Sequence, residues 1–293
     1  MKTKIAIITH GFTTKVHCLP ICSAFNDAFD VTWQIVDYGW PVNIKDILNY
    51  KNMEAIIWFV GFKHLRRKQI DWGNFTGKRI LFDLDVCQNY DCGITCNSPY
   101  KGKWPIVFSR QKFDLLICTG KKTTERLIEE GINAYWVPKA FSGKIFYDKE
   151  TNREKEICYY GRMYPERKVM KDFLIKHKCN VERIYCFYFS LNDFLNEYKI
   201  CTIYNGIEPM IKQFETAASG CVPFCNAIPE LSDLGFIDGE NMVSYSTFEE
   251  LLEKINYYLK SDELYKIGKA SAKLAKEKHS WQKRMELFKE III

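Results

Sequence analysis

The sequence has no apolar run that approaches the roughly 20 residues needed to cross a bilayer, which excludes an obvious membrane-spanning helix. The start, 1–10, is basic and then apolar. Its apolar part is too short for a signal peptide, and no small-residue cleavage site follows it. We therefore interpret Ile5–Ile8 as a first buried strand and expect a cytoplasmic protein.

Metal-binding and disulfide patterns are also missing, although the chain has 12 cysteines. No C-x2-C pair occurs, and Cys87, Cys92 and Cys96 form C-x4-C-x3-C, which is not a standard zinc or iron–sulfur spacing. Most other cysteines lie in apolar runs, where cysteine packs as a small hydrophobic residue. We expect buried free thiols, no metal and no bound cofactor, with a functional role for some thiols as the alternative.

The excess of positive charge is confined to one half of the chain. Residues 1–150 contain 21 Lys and Arg against 15 Asp and Glu, whereas residues 151–293 contain 21 of each. Two interpretations stay open for the first half. The excess either serves solubility or faces an anionic partner such as a nucleic acid or a membrane surface.

Short apolar runs alternate with helix-like segments along the whole chain. The runs are Ile5–Ile8, Ala55–Val60, Ile80–Leu84, Leu115–Cys118, Ala134–Val137, Ile157–Tyr160, Arg183–Phe189, Ile200–Tyr204, Val222–Phe224 and Met242–Tyr245. Because they are apolar throughout, they are typical of parallel strands covered on both faces. The polar stretch 148–156 interrupts the alternation. The pattern predicts α/β structure in two doubly wound domains, residues 1–150 and 151–293.

The stretch 205–220 lies between two predicted strands and has the start and stop signals of one helix. Pro209 suits its first turn and Gly220 its C-cap. Helical spacing then places Glu208, Lys212 and Glu215 on one face. The exposed N–H groups of such a helix favour phosphate, and a carboxylate further along accepts hydrogen bonds from sugar hydroxyls. A surface helix with an ordinary Glu–Lys pair is the alternative.

The same stretch carries a family resemblance. The run Lys212-Gln213-Phe214-Glu215-x-x-Ala218-x-Gly220-x-Val222-Pro223, followed by Pro229-Glu230-Leu231, Gly239-Glu240-Asn241 and Tyr245-Ser246, resembles the C-terminal motif of the GT-B glycosyltransferases. It is most similar to the bacterial group-1 and spore-maturation-like branch. The resemblance implies two Rossmann-like domains with a cleft between them and a nucleotide-sugar donor held mainly by the second. It is specific over about 157–255.

The resemblance implies a set of donor-binding residues. Glu215 corresponds to the glutamate that binds the nucleotide ribose. The segment 159–167 is similar to the first loop of the donor domain, where a glycine lets the backbone approach a phosphate and arginines neutralise it. Many relatives have two glutamates with seven residues between them, whereas Glu208 and Glu215 have six, so Glu208 departs from the pattern. The predicted donor-binding residues are Gly161, Arg162, Arg167, Gly206, Glu208, Lys212, Phe214 and Glu215.

The first domain is expected to hold the acceptor and the catalytic base. Its loops after predicted strands offer Gly11, Lys63, Arg66 and Arg67 as acceptor-binding residues. Gly11 does not belong to a P-loop, because no Gly-Lys-Ser/Thr occurs. The candidate bases are His10, Asp83 and Asp85. The alternative for each of them is a buried or capping side chain.

The sequence therefore predicts a glycosyltransferase that uses a UDP- or GDP-type sugar without a metal, with retention of configuration implied by the resemblance. Candidate acceptors are hydroxyls on modified DNA, a phosphate-bearing polymer or a lipid, with peripheral membrane contact among the partners considered. Two other classes stay open. One is a nucleotide-sugar epimerase, and the other is a catalytically silent protein that binds DNA or another polyanion.

Overall fold

The computed structural model describes residues 2–10, 19–36, 43–47, 49–59, 65, 69–90, 100–185 and 189–293. These residues form two compact units, each built on one parallel sheet. The first unit holds the described residues up to 138 together with 281–293, and the second holds 139–280. The predicted α/β class with two doubly wound domains is confirmed.

The first unit is a six-stranded sheet in the order β2-β1-β3-β4-β5-β6. The strands are β1 Lys4–His10, β2 Asp30–Val36, β3 Ala55–Phe59, β4 Lys78–Phe82, β5 Leu115–Cys118 and β6 Ala134–Trp136. The central strands β1 and β3 are buried because helices cover both faces of a parallel sheet. Among the described residues, the connections contain three short 3-10 helices, Ile44–Asp46, Tyr50–Asn52 and Val86–Asn89.

The described part of this unit contains four helices, and one of them comes from the far end of the sequence. They are α1 Leu19–Ala28, α2 Trp104–Arg110, α3 Lys121–Glu129 and α10 Trp281–Ile292. Helix α10 packs beside α1, where the Phe288 ring lies 4.9 Å from Phe25 and 5.2 Å from Phe82 between ring centroids. These aromatic contacts join α10 to the core of the first sheet.

The second unit is a five-stranded sheet in the order β11-β10-β9-β7-β8. The strands are β7 Lys155–Tyr160, β8 Val181–Ile184, β9 Tyr198–Ile203, β10 Val222–Asn226 and β11 Val243–Tyr245. The helices are α4 Pro165–Lys176, α5 Phe189–Leu195, α6 Ile211–Ala218, α7 Glu230–Asp233, α8 Phe248–Tyr258 and α9 Glu263–Lys278. Helix α9 passes so close to the end of α6 that a Cβ on Gly268 would lie 2.6 Å from the Gly220 carbonyl oxygen.

The observed division differs in two places from the predicted one at residue 150. The second unit already begins at Lys139, since Phe141 pairs with Ser280 and its amide donates to the His279 carbonyl. Residues 281–293 return to the first unit, where Arg284 donates to the Pro138 carbonyl. These contacts join residues far apart in sequence, so local composition does not reveal them.

Three local predictions need correction. Strand β2 was not predicted, because most of its side chains are half-exposed and it has no continuous apolar run. The run Arg183–Phe189 contains only the end of a strand, since β8 stops at Ile184 and Phe189 begins α5. The predicted helix over 209–220 begins later, at Ile211, although Gly220 does take the left-handed conformation expected after a helix.

No helix among the described residues is both long enough and apolar enough to span a membrane.

Candidate functional site

The order of strands in the second sheet defines a crevice. The chain passes from β7 outward to β8 and then returns to the other side of β7 as β9, so the connections after β7 and β9 leave in opposite directions. In open parallel sheets, ligands bind at such a switch point, at the carboxyl ends of the strands. Gly161 and Arg162 follow β7 directly, and Gly206 lies in the segment after β9. Three predicted donor-binding residues therefore lie at this edge.

Helix α6 brings two further predicted residues to the end of β7. The Tyr160 hydroxyl donates to Oε2 of Glu215 over 2.9 Å, and Nζ of Lys212 donates to the Tyr160 carbonyl oxygen. The Lys212 ammonium also lies over the Tyr160 ring, 5.0 Å from its centroid. Tyr160 thus contacts both functional groups that α6 presents to the crevice.

The surroundings of Glu215 and Lys212 alter how both groups ionise. Burial raises the pKa of Glu215 to about 7, while the Tyr160 hydrogen bond and the charge of Lys212 oppose that rise. Burial lowers the pKa of Lys212 to about 7, and the charge of Arg167 lowers it further. Burial thus disfavours the charged form of each group, and an anionic ligand beside Lys212 would favour the charged form of its ammonium.

Three cationic side chains donate to consecutive carbonyls of the turn after β7. Lys212 donates to Tyr160, Nη2 of Arg183 to Gly161 over 3.3 Å, and Nη1 of Arg167 to Arg162 over 2.9 Å. The salt bridges found in the described part of the chain include none of these three cations. Positive charge therefore accumulates around this turn without a carboxylate in direct contact, which suits a phosphate ligand.

Glycine is required at the centre of this turn. Gly161 has φ +84°, and a Cβ there would lie 2.5 Å from Nζ of Lys212. A side chain at this position would therefore strain the backbone and displace the lysine. Gly161 leaves room for Lys212 to reach the Tyr160 carbonyl.

The two predicted arginines differ in exposure. Arg162 is exposed, whereas Arg167 on α4 is buried, and burial lowers the Arg167 pKa. Both guanidinium groups lie over the ring of Tyr164, at 5.3 and 5.1 Å from its centroid. Arg162 is thus available to a ligand in the crevice, while Arg167 stabilises the turn through its hydrogen bond to the Arg162 carbonyl.

Glu208 does not share a helix face with Lys212 and Glu215, because α6 begins only at Ile211. Its buried carboxylate pairs with the ammonium of Lys139, which is itself buried. Glu208, the residue that departs from the family spacing, therefore forms a buried ion pair within the second unit.

Phe214 was predicted to contact the donor, and the structure corrects this. Its side chain is fully buried and packs against Phe236 and His279, with ring centroids 6.0 and 5.2 Å away. On a helix, Phe214 follows Gln213 and precedes Glu215, so it points away from the face that Lys212 and Glu215 share. Its role is to hold α6 in the core.

Gly206 lies in the loop before α6 and is not the residue that begins the helix, since Met210 is the N-cap. The loop is held by Asn205, whose Oδ1 accepts from the Met210 amide over 3.0 Å. The Asn205 amide in turn donates to Oδ1 of Asn226 on β10. These bonds fix the path of the chain from β9 into α6.

The candidate bases of the first unit also follow strand ends. His10 ends β1 and is largely buried. Asp83 follows β4, is buried, and accepts from the Asp85 amide over 2.8 Å, while Asp85 is exposed. Their catalytic role stays a prediction. The acceptor-binding candidates Gly11, Lys63, Arg66 and Arg67 lie outside the described residues.

Sequence reasoning gave no role to two residues of this site, Tyr160 and Arg183. Tyr160 ends an apolar run and was assigned to the strand alone. Arg183 began a predicted strand, and a charged residue at the start of an apolar run is a signal that it has a polar partner nearby. Within the described residues, no group of three or more His, Cys, Asp and Glu side chains is arranged to hold a metal ion.

One family model and several solved structures of known proteins are similar to this chain. The family model described as "Glycosyl transferase-like" matches residues 148–290. Sucrose-phosphate synthase from Thermosynechococcus elongatus has a TM-score of 0.62 at 13% identity, covering 99% of this chain and 98% of that chain. The DNA modifying enzyme beta-glucosyltransferase has a TM-score of 0.60 at 12% identity, covering 99% of both chains.

A third similar structure is the pneumococcal O-GlcNAc transferase GtfA in complex with UDP and GlcNAc. Its TM-score is 0.56 at 11% identity, and the match covers 82% of this chain and 56% of that chain. No curated protein matches the sequence. At these identities the solved structures show the fold, which is the two-domain GT-B fold.

The described residues have the fold of the GT-B glycosyltransferases, and the match to the glycosyl transferase-like family model is confined to residues 148–290. The spore-maturation-like branch stays a prediction.

Proposed function

We propose that this protein is a glycosyltransferase whose second unit binds a nucleoside diphosphate sugar at the crevice between β7 and β9. One observation supports this most strongly. Lys212, Arg183 and Arg167 surround a glycine turn at the sheet's switch point, beside the buried carboxylate of Glu215. Cations and N–H groups suit a diphosphate, and a carboxylate suits the ribose hydroxyls.

The proposed reaction breaks the bond between the anomeric carbon of the sugar and a phosphate oxygen. A bond from that carbon to an acceptor hydroxyl oxygen forms, the hydroxyl proton passes to a base, and the nucleoside diphosphate leaves. His10, Asp83 and Asp85 are the candidate bases. In our proposal Arg162, Arg183 and Lys212 stabilise the negative charge that develops on the leaving diphosphate, in place of a metal. Retention of configuration remains an inference from the family resemblance.

We favour UDP as the donor nucleotide and DNA as the first acceptor to test. The beta-glucosyltransferase of similar fold is described as DNA modifying and as using uridine diphosphoglucose. The basic excess of residues 1–150 is compatible with a polyanionic acceptor. A phosphate-bearing polymer or lipid is the second acceptor class.

The first experiment is a thermal-shift panel of UDP, GDP, ADP, CDP and their glucose conjugates. Saturation at a hundredfold excess over Kd stabilises a protein by about 2.7 kcal/mol, so a selective rise in Tm identifies the nucleotide. The rise should disappear in Glu215→Ala and persist in Glu249→Ala, which removes an exposed glutamate from the first turn of α8. Absence of any shift in folded wild-type protein would contradict the proposal.

The second experiment separates the transferase from its alternatives. Labelled sugar from the selected donor should become attached to duplex DNA that carries hydroxymethylated bases, and not to unmodified duplex. Conversion of the donor sugar without an acceptor would indicate an epimerase instead. Salt-sensitive DNA binding without nucleotide binding or turnover would indicate a silent polyanion-binding protein.

A further inference from the structure

Tyr160 occupies an unusual place in this site, because it contacts two side chains of α6 through different atoms. Its hydroxyl donates to Glu215, and its carbonyl oxygen accepts from Lys212. Its ring is largely buried at the end of β7, and the Lys212 ammonium lies over one face. One residue of the strand therefore fixes the carboxylate and the ammonium relative to each other.

The hydrogen bond from Tyr160 also determines which carboxylate oxygen is free. Oε2 of Glu215 accepts from the Tyr160 hydroxyl over 2.9 Å, while no such bond to Oε1 occurs among the described residues. A carboxylate oxygen accepts well from the ribose hydroxyls only when it is held in one direction, because free rotation about the last side-chain bond would turn its lone pairs away from them. A second-layer hydrogen bond is the usual means of such orientation.

We propose that Tyr160 is a positioning residue for the nucleotide: its hydroxyl holds Oε2 of Glu215, so that Oε1 faces the ribose hydroxyls of the bound nucleoside diphosphate. The inference rests on the proposed function, and it adds a residue and an atom-level role to it. Tyr160 contacts no part of the substrate and acts through Glu215.

The charge state of Glu215 belongs to the same arrangement. The titratable and charged groups that face its carboxyl are Tyr160 from β7, Lys212 from α6 and Cys201 from β9. Burial raises the Glu215 pKa to about 7, and the Tyr160 hydroxyl opposes this rise. Loss of the hydroxyl therefore raises the pKa of Glu215 further, so that the acceptor form needed for ribose is lost at a higher pH.

Tyr160→Phe tests the inference, since it removes the hydroxyl and keeps the ring under Lys212. UDP and 2′-deoxy-UDP are titrated by calorimetry between pH 6 and 9; GDP and its 2′-deoxy form replace them if the panel selects GDP. We expect UDP affinity to fall about tenfold, as for one lost hydrogen bond to a charged acceptor. The preference for UDP over 2′-deoxy-UDP should shrink, and the acid limit of binding should move to higher pH.

The matched control is Tyr198→Phe, which removes a second Tyr–Glu hydrogen bond, the 2.6 Å bond to Glu182, away from the crevice. It should change neither UDP affinity nor the preference for the ribose. If Tyr160→Phe does not fold, as judged by circular dichroism, Tyr160→Met removes the same hydroxyl from a similar apolar volume and is expected to give the same loss.

The outcomes separate this inference from the proposed function. Unchanged UDP affinity in Tyr160→Phe, or an equal loss for UDP and 2′-deoxy-UDP, overturns the role of Tyr160 while Glu215→Ala still abolishes binding. If wild-type protein binds no nucleoside diphosphate, or Glu215→Ala binds normally, both the proposed function of this site and the role of Tyr160 are wrong.

Discussion

Glu215 is a buried carboxyl group whose ionisation lowers the stability of the unliganded protein. Its carboxyl is buried beside one hydroxyl and one ammonium, which do not replace the hydration that a carboxylate has in water. The neutral form is therefore favoured in the unliganded protein. In our proposal, the ribose hydroxyls donate hydrogen bonds to the carboxyl and favour its charged form.

The stability of the protein should consequently respond to Glu215→Gln in a pH-dependent way. The folded pKa is about 7 against an ordinary value of 4.5, so the unfolded chain loses this proton first as pH rises. The contribution of protonated Glu215 to the free energy of unfolding is therefore fully present below about pH 4.5. It is lost as the pH rises toward 7 and remains absent at higher pH. Glutamine never ionises and avoids this loss. We expect the Tm of Glu215→Gln, measured relative to wild type at the same pH, to rise from pH 5 to pH 8. Each kcal/mol of unfolding free energy that wild type loses over this range corresponds to about 2–4 °C in this Tm difference.

Glu250→Gln provides the opposite control, measured by the same melting series. The hydrogen bond from Lys254 holds the pKa of Glu250 below its usual range, so that its contribution is lost as pH falls rather than as it rises. A Tm difference for Glu215→Gln that is flat with pH, or that decreases toward pH 8, would show that the carboxylate is well compensated in the unliganded protein.

At the scale of elements, the turn between β7 and α4 depends on one glycine for two reasons. Gly161 needs a positive φ, and its missing Cβ makes room for Lys212. Gly131 after α3 has nearly the same φ, +82°, but nothing lies within 4 Å of a Cβ built there. Substitutions at the two glycines therefore distinguish two effects. Both substitutions strain the backbone, but only the one at Gly161 displaces Lys212.

Gly161→Ala and Gly131→Ala should therefore both lower stability, each by about 1–2 kcal/mol for the left-handed backbone. Only Gly161→Ala should also weaken nucleotide binding, because the new methyl group moves the Lys212 ammonium. Urea denaturation and UDP titration of both variants provide the measurements. Equal UDP affinity in the two variants would mean that Lys212 reaches the ligand from another rotamer.

The elements also show where sequence reasoning succeeds. Buried strands such as β3 and β9 were predicted from continuous apolar runs, because a parallel sheet covered on both faces demands them. Strand β2 has no such run, since it lies at the sheet edge with half-exposed side chains. In the candidate site, Glu215 and Lys212 were named from the motif, and their donor-binding role stays a prediction. Arg183 was not, because its contact with Gly161 depends on the pairing of β8 with β7.

At the scale of the whole molecule, the first unit is discontinuous in sequence. Residues up to 138 form its sheet, and 281–293 supply α10 after the second unit is complete. The end of the chain is helical, with α9 and α10 separated at 279–280. Its division between two units could not be predicted, since an apolar helix face does not specify which core it covers.

Phe288 should be one of the most sensitive positions of the first unit. Its ring is fully buried between Phe25 and Phe82, so Phe288→Ala leaves a cavity in the aromatic cluster. We expect a loss of about 3–5 kcal/mol in the free energy of unfolding. Ile293→Ala, at an exposed position just after α10, should change it by less than about 0.5 kcal/mol. Chemical denaturation of both variants checks this, and a small loss for Phe288→Ala would mean that α10 contributes little to this core.

This discontinuity also constrains the order in which the two units can fold during translation on the ribosome. Phe25 and Phe82 emerge early, but their partner Phe288 is translated only after all of 139–280. Throughout that interval the first core lacks its covering helix, and at its end the second unit is complete while the first is not. The nascent chain therefore exposes an aromatic surface for the time taken to make the second unit, and a chaperone that shields aromatic side chains would act in this interval.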